Sequence, residues 1–239
     1  MQRLDPWQGH CRLQFFQQGE RTIHQGGCSA PFKLLRSEDG ADGRREIPLL
    51  HTAGGLVGGD QLNIDVALET NSHSLITSVA AQKVYGSVGR SRLTPQGSWA
   101  RQHVNCQLGS HSDLEWLPQE LVVYANALYE QQLNVRLPKD ASFLGAEIVR
   151  LGRTAAGETL QQGRWRSSLS IQRVSANQSE PQSWELVDRL ELGNSSLNDL
   201  HGLHQQPVFG TLVWAAPMPL YAHILKDLVD AARDDREGL

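Results

Sequence analysis

Long apolar runs are missing from this sequence of 239 residues. The longest apolar stretch, Gly210 to Ala222, is short and interrupted by Pro217 and Pro219, so it cannot span a bilayer. The opening Met1-Gln2-Arg3-Leu4-Asp5-Pro6-Trp7 has no apolar core of the kind a secretory signal needs, and no signal peptide is expected. Cysteine is scarce as well. Three residues, Cys11, Cys28 and Cys106, form an odd set without CxxC spacing, which argues against a disulfide framework and fits buried or idle thiols in a reducing compartment. The expected location is cytoplasmic. A basic excess is also lacking: 22 Lys and Arg stand against 26 Asp and Glu, for a net charge of −4 and a pI near 6.1. The two signs are interspersed, so nucleic acid is not an expected partner, and no membrane contact is expected either. Only four of the cationic residues are lysine, a skew to which no function attaches.

What is present is the composition of a soluble globular domain. Hydrophobic residues make up 39%, and 22 glycines bring the apolar share to the usual range of about 45–50%. Period-two patterns dominate. Gln61-Leu62-Asn63-Ile64-Asp65-Val66-Ala67-Leu68-Glu69 alternates polar and apolar, the mark of a half-buried strand. Leu133, Val135 and Leu137 repeat it, as do Leu169 with Ile171 and Leu190 with Leu192, while Phe143–Leu151 reads as a strand buried on both faces. Val208–Trp214 is a further strand. Turn signals such as Gln25-Gly26-Gly27, Asp39-Gly40, Asp42-Gly43, Pro95-Gln96-Gly97 and Gln162-Gly163 separate these runs, the pattern of an all-β architecture. One helix stands out near the end. Pro219 suits its first turn, and Leu220, Ile224, Leu228 and Ala231 form an apolar stripe with Tyr221 and Leu225 beside it. Asn198–His204 reads as a short helix or turn. No 20–50-residue repeat and no Pro/Ser linker divides the chain, so one β-rich domain over residues 1–239 with a helical C-terminal part is expected.

Motifs that carry chemistry mostly fail here. His51-Thr52-Ala53-Gly54-Gly55-Leu56-Val57-Gly58-Gly59-Asp60 invites a phosphate-loop reading, but GxxxxGK[ST] and GxGxxG are absent and a strand follows instead of a helix. The plain reading is a tight connection between strand Ile47–Thr52 and the next strand. A sharper one adds a site where backbone groups approach a ligand and Asp60 supplies a charged oxygen. His10 with Cys11, and His103 with Cys106, point to opposite faces of a strand, and His201 with His204 makes at most two ligands of a cage. No preassembled zinc-type centre is expected. Glu115 and Glu120 are conceivable as a glycosidase-like pair, yet sequence spacing does not fix their separation. No nucleophile signature is present.

Five strings taken together carry a resemblance: Ser29-Ala30-Pro31-Phe32-Lys33-Leu34-Leu35-Arg36, the glycine-rich His51–Asp60, Ala80-Ala81-Gln82-Lys83-Val84-Tyr85, Leu114-Glu115-Trp116-Leu117-Pro118-Gln119-Glu120, and Phe143-Leu144-Gly145-Ala146-Glu147-Ile148-Val149-Arg150-Leu151-Gly152-Arg153. In this order and at these intervals, over about residues 7 to 175, they resemble the urease accessory protein family UreD, also called UreH. The resemblance implies a mainly β fold, an open β-helix-like stack of short antiparallel strands with a C-terminal helix. It implies a non-catalytic maturation factor that binds UreF, through it the GTPase UreG, and docks on apo-urease so that nickel reaches the urease active site, with a water-filled route through the protein proposed for the ion. No tightly bound cofactor is implied, only nickel in transit. Family members usually continue beyond the helix into further strand and helix, whereas this sequence stops at Leu239.

A conduit needs sparse donors, because Ni²⁺ stands high in the Irving–Williams order and several imidazoles or thiolates would hold it too tightly. Asp60, Glu115, Glu120 and Glu147 are the carboxylates within the family motifs and are the candidates for lining or gating the route. Glu147 shares a face with Phe143, Val149 and Leu151, so burial is expected, with Arg150 or Lys83 as the partner that a buried carboxylate requires. Two other classes stay open: a β-helical carbohydrate-active enzyme using Glu115 and Glu120, and a protein-interaction scaffold without an ion route.

Overall fold

The computed structural model describes residues 5–175 and 182–237. The chain winds between two facing sheets. It enters the first with β1 (Gln8–Gln18) and β2 (Arg21–Cys28), then crosses to the second for β3 (Phe32–Leu34), β4 (Glu38–Asp39) and β5 (Arg45–His51). β6 (Gln61–Leu68) returns to the first, and β7 (His73–Ser78) and β8 (Gln82–Val84) lie in the second. β9 (Ala100–Leu108) returns again, followed by β10 (Asp113–Leu117) and β11 (Leu121–Val123) in the second. β12 (Leu128–Leu137) and β13 (Ser142–Leu151) repeat the crossing. β14 (Arg164–Arg173) and β15 (Ser183–Gly193) complete the first sheet, β16 (Val208–Ala215) completes the second, and α1 (Ala222–Glu237) follows.

This winding corrects the expected antiparallel stack. β1, β6, β9, β12 and β14 are parallel neighbours in the first sheet. In the second, β5, β7, β10 and β13 are parallel, as are β8, β11 and β13. Among the described residues antiparallel pairing is confined to β1–β2, β14–β15, β13–β16 and the two short strands on β5. The physical reason lies in the corners. Between β6 and β7 the chain bends at Asn71, whose φ is 60°, and between β9 and β10 at His111, whose φ is 53°. Ser72 and Ser112 are buried there, and each hydroxyl bonds the carbonyl three residues back, to Glu69 at 2.6 Å and to Gly109 at 2.8 Å. The corners also bond each other: Asn71 donates to the Ser110 carbonyl, Asp113 to that of Ser72, and Ser142 to that of Ser112. These corners therefore carry the chain across to the other sheet instead of turning it back as a hairpin.

The core fills the space between the sheets. Leu62, Ile64, Val66 and Leu68 of β6 all point inward, joined by Val104, Cys106 and Leu108 of β9 and Val135 and Leu137 of β12. Ile47, Ile76, Leu114, Trp116, Phe143, Val149 and Leu151 face them from the second sheet. Each large side chain of this kind contributes about 1.5–3 kcal/mol relative to exposure. β13 is not buried on both faces. Its inner residues are, but Ile148 is 53% exposed on the outer face, and β16 beside it leaves Leu212 and Trp214 largely exposed as well. The Asn198–His204 region is irregular turn behind a one-turn 3₁₀ segment, Ser195–Leu197. α1 starts two residues later than expected, and its apolar residues Ile224, Leu225, Leu228 and Val229 are exposed. Among the described residues no helix is long and apolar enough to cross a membrane.

Candidate functional site

Strand alternation assigns the inner positions to apolar residues, and a small set of polar residues breaks the rule. On β9 the inward phase runs Ala100, Gln102, Val104, Cys106; on β12 it runs Tyr129, Gln131, Leu133, Val135; on β14 it runs Trp165, Ser167, Leu169, Ile171. The register places Gln102 beside Gln131 and Gln131 beside Ser167, forming one polar row across the first sheet. Across the interior, Glu147 of β13 is paired with Thr211 of β16, both also in the inward phase. The Gln131 side-chain amide donates to the Glu147 carboxylate and, at 3.3 Å, to the Ser167 hydroxyl.

Two adjoining cavities lie along this row. The smaller, of about 80 Å³, is bounded by Gln102, Gln131, Glu147, Ser167 and Thr211 together with Val104, Leu133 and Val213. The larger, of about 170 Å³, shares Gln102, Trp116 and Pro118 with it and extends to His51, Thr77, Gln82 and the Gly54–Gly55 corner. His51 and Gln82 are again polar residues in an inward phase, and His51 Nε2 and Gln82 Nε2 are buried side-chain atoms without a hydrogen-bond partner among the described residues. One ordered water needs only about 10–15 Å³ by this kind of measure, so both cavities have room and polar partners for several.

The electrostatics are set by burial. It is the largest influence on Glu147 and pushes its carboxyl above the ordinary 4.5; the Gln131 contact opposes the shift and nearby Asp188 adds to it. Burial, with Glu147 nearby, likewise pushes the Tyr129 hydroxyl up. Burial pushes His51 down, favouring a neutral imidazole, against the opposing pull of Asp60. For Glu147 the folded state binds the proton more tightly than the unfolded chain does. This group's contribution to stability is therefore fully present below about pH 4.5 and is lost as pH rises through the folded value. Glu147→Gln is expected to remove this slope: its melting temperature should gain on the parent at mildly alkaline pH relative to acid pH. Parallel pH profiles of the two proteins would refute the assignment.

The four carboxylates singled out from the sequence do not converge. Asp60 is 1% exposed, and its two oxygens accept backbone N–H groups from Trp7 and Val57, each at 2.8 Å. It ties the glycine-rich connection to the N-terminal segment. Glu115 points outward from β10 and pairs with Arg44 at 2.6 Å. Glu120 is exposed and lines a surface depression with Val122, Ile148 and Arg150, separate from the one that holds Glu115. Glu147 alone lies on the polar row between the two sheets. Its partner is not Arg150 or Lys83, both of which are exposed, but the neutral Gln131. Among the described residues no group of three or more His, Cys, Asp or Glu side chains is placed to hold a metal ion. Reading the sequence for charge missed Gln102, Gln131, Ser167, Thr211, His51 and Gln82. The signal that finds them is a polar residue in the apolar phase of a strand.

The family model for the UreD urease accessory protein matches residues 8–238. A urease accessory protein UreD of Synechococcus sp. strain WH7805 is 68% identical over 244 residues, covering 100% of this chain and 76% of that protein. One from Synechococcus sp. strain CC9605 is 69% identical over 239 residues, with the same coverage. A UreD of Prochlorococcus marinus strain MIT 9303 is 54% identical over 241 residues, covering 98% of this chain and 80% of its own length.

Proposed function

The chain belongs to the family of the urease accessory protein UreD, and from that membership we propose how it serves urease maturation: as a non-catalytic scaffold that holds UreF, and through it UreG, on apo-urease while nickel passes through the interior between its two sheets. The observation that carries the ion route is the polar row Gln102–Gln131–Ser167 facing Glu147 and Thr211 inside an otherwise apolar core. Such a row is costly to bury, and neutral amide and hydroxyl oxygens with a single carboxylate offer a divalent cation replacement ligands without trapping it. His51, neutral and with an unpartnered nitrogen, adds one exchangeable donor at the far cavity. Nickel here is cargo, and no resident cofactor is assigned.

Among the four sequence candidates, Glu147 is the route residue. Asp60 has a structural role, and Glu115 and Glu120 are at most transient surface contacts. For partners, the outer face of the second sheet supplies apolar area: Ile148, Leu212 and Trp214 are exposed beside one another, a patch of the kind that marks protein contacts. The setting is cytoplasmic, with neither nucleic acid nor membrane as partner. The parallel pairing of β6, β9, β12 and β14 supports reading the winding as β-helix-like, and one continuous core supports a single domain. A carbohydrate-active enzyme is disfavoured, since Glu115 and Glu120 line different depressions.

Ser167→Leu fills the smaller cavity without touching the outer faces. With UreF, UreG and urease co-expressed, its complexes are expected to assemble normally while urease acquires several-fold less nickel. Each added 1.4 kcal/mol of barrier slows transfer about tenfold. Full nickel loading with an intact fold would sink the interior route. Loss of the complexes themselves would support a scaffold without one.

A further inference from the structure

Cys11 on β1 and Cys28 at the end of β2 are direct partners in the antiparallel register. The Ser29 N–H donates to the His10 carbonyl at 2.8 Å, which makes the neighbouring 10–29 pair a hydrogen-bonded one and Cys11–Cys28 a non-hydrogen-bonded one. At such positions the Cα atoms approach most closely, to about 4.5 Å, inside the range of roughly 4.4–6.8 Å that a disulfide spans. Both side chains are unbridged thiols, and their sulfur atoms lie 2.8 Å apart. Cys11 is 1% exposed, whereas Cys28 is half-buried on the terminal strand of the first sheet and is the more accessible of the two.

We propose that Cys11 and Cys28 are a redox-active dithiol, a modification site that hydrogen peroxide closes to a disulfide within the folded protein. The contact with Cys11 holds the Cys28 thiol below its ordinary range, against the opposing effect of its own burial, while the same contact and full burial push Cys11 up. Cys28 is thus the attacking thiolate. Its sulfur takes one peroxide oxygen as the O–O bond breaks, and the departing hydroxide picks up a proton, leaving a sulfenic acid on Cys28 and one water. The Cys11 sulfur, already in contact, then attacks the Cys28 sulfur. The S–S bond forms as the S–O bond breaks, and the oxygen leaves with the Cys11 proton as a second water. Two electrons pass from the thiols to peroxide, and a small dithiol reverses the reaction by exchange. Among the described residues β2 is bonded in its sheet only to β1, so the closed form fastens the sheet edge covalently. Cys106, on β9 and 2% exposed, has no such partner among the described residues.

The test treats the full chain with stoichiometric hydrogen peroxide and counts thiols with and without denaturant. Accessible-on-unfolding thiols should fall from three to one, peptide mapping should join Cys11 to Cys28, and dithiothreitol should restore all three. The oxidised protein should melt at a higher temperature than the reduced one, a shift that Cys28→Ser abolishes and Cys106→Ser keeps. Should Cys11→Ser fail to fold, Cys28→Ser and the peptide map decide alone. Over-oxidation of Cys28 without a bond, a disulfide that forms only in denaturant, or cross-links only between molecules would each overturn the proposal.

Discussion

Asp60→Ala should lower the free energy of unfolding by about 3–6 kcal/mol, since each hydrogen bond to a buried charged group contributes roughly 1.5–3 kcal/mol and two are lost. The acceptors of the Trp7 and Val57 amides disappear together, at a residue 1% exposed where water cannot replace them. A typical domain has only about 5–15 kcal/mol in hand. Urea denaturation read by circular dichroism should show the midpoint falling sharply. Asp60→Asn keeps one acceptor oxygen and should fall about half as far. If Asp60→Ala instead retained its midpoint while urease nickel loading dropped, the residue would belong to the ion route and not to the fold.

Gly58→Val is expected to remove folded protein altogether. A β-carbon at this position would stand 2.2 Å from Ser87 Oγ and 2.6 Å from the Ser98 carbonyl oxygen. The second of these is backbone, and Ser87 is itself held in place by the Ser98 N–H at 2.7 Å. No rotamer change relieves both contacts, so a loss on the order of 4 kcal/mol or more follows. Gly59→Ala acts through the backbone instead. Its φ of 105° suits glycine almost alone, and its β-carbon would also meet Pro6 at 2.8 Å. Gly54→Ala is the milder comparison: nothing lies within 4 Å of its β-carbon, and its φ of 74° leaves only the strain of a left-handed backbone, about 1 kcal/mol. Expression in the soluble fraction and melting curves should rank Gly54→Ala above Gly59→Ala and both above Gly58→Val. Comparable yields for all three would show that the connection is looser than its packing indicates.

Strand positions were legible wherever alternation was clean, as in Gln61–Leu68, because one buried face leaves a two-residue period in the sequence. Their direction was not. Whether a chain turns back or crosses to the opposite sheet depends on a corner of three or four residues, and Asn71-Ser72 and His111-Ser112 look locally like hairpin turns. The repeat hidden in these corners is too short to see: Leu68 and Ser72 correspond to Leu108 and Ser112 and to Leu137 and Ala141, while everything between differs. Phe143–Leu151 misled for another reason. Apolar residues on its outer face, Ile148 above all, meet solvent in this chain, so an apolar pattern by itself does not mark burial. In the site, Glu147 was visible because a charged residue among apolar ones attracts notice. Gln102, Gln131 and Ser167 were not, since each is unremarkable on its own strand and the row exists only once the register of three strands is known.

The winding between two sheets also sets the order of events in time. Partners across neighbouring strands are far apart in sequence: 40 residues separate Asp65 from Asn105, 29 separate Asn105 from Asn134, and 36 separate Asn134 from Ser170. Each contact closes a loop of that size before any energy returns, and topologies of this kind fold slowly, on the millisecond-to-second scale. Yet every new strand of the first sheet needs only the preceding one as a template. Growth from a first pair in either direction is then the easiest course, and a lesion in β9 or β12 stops it midway, leaving on each side a stretch of exposed parallel edge.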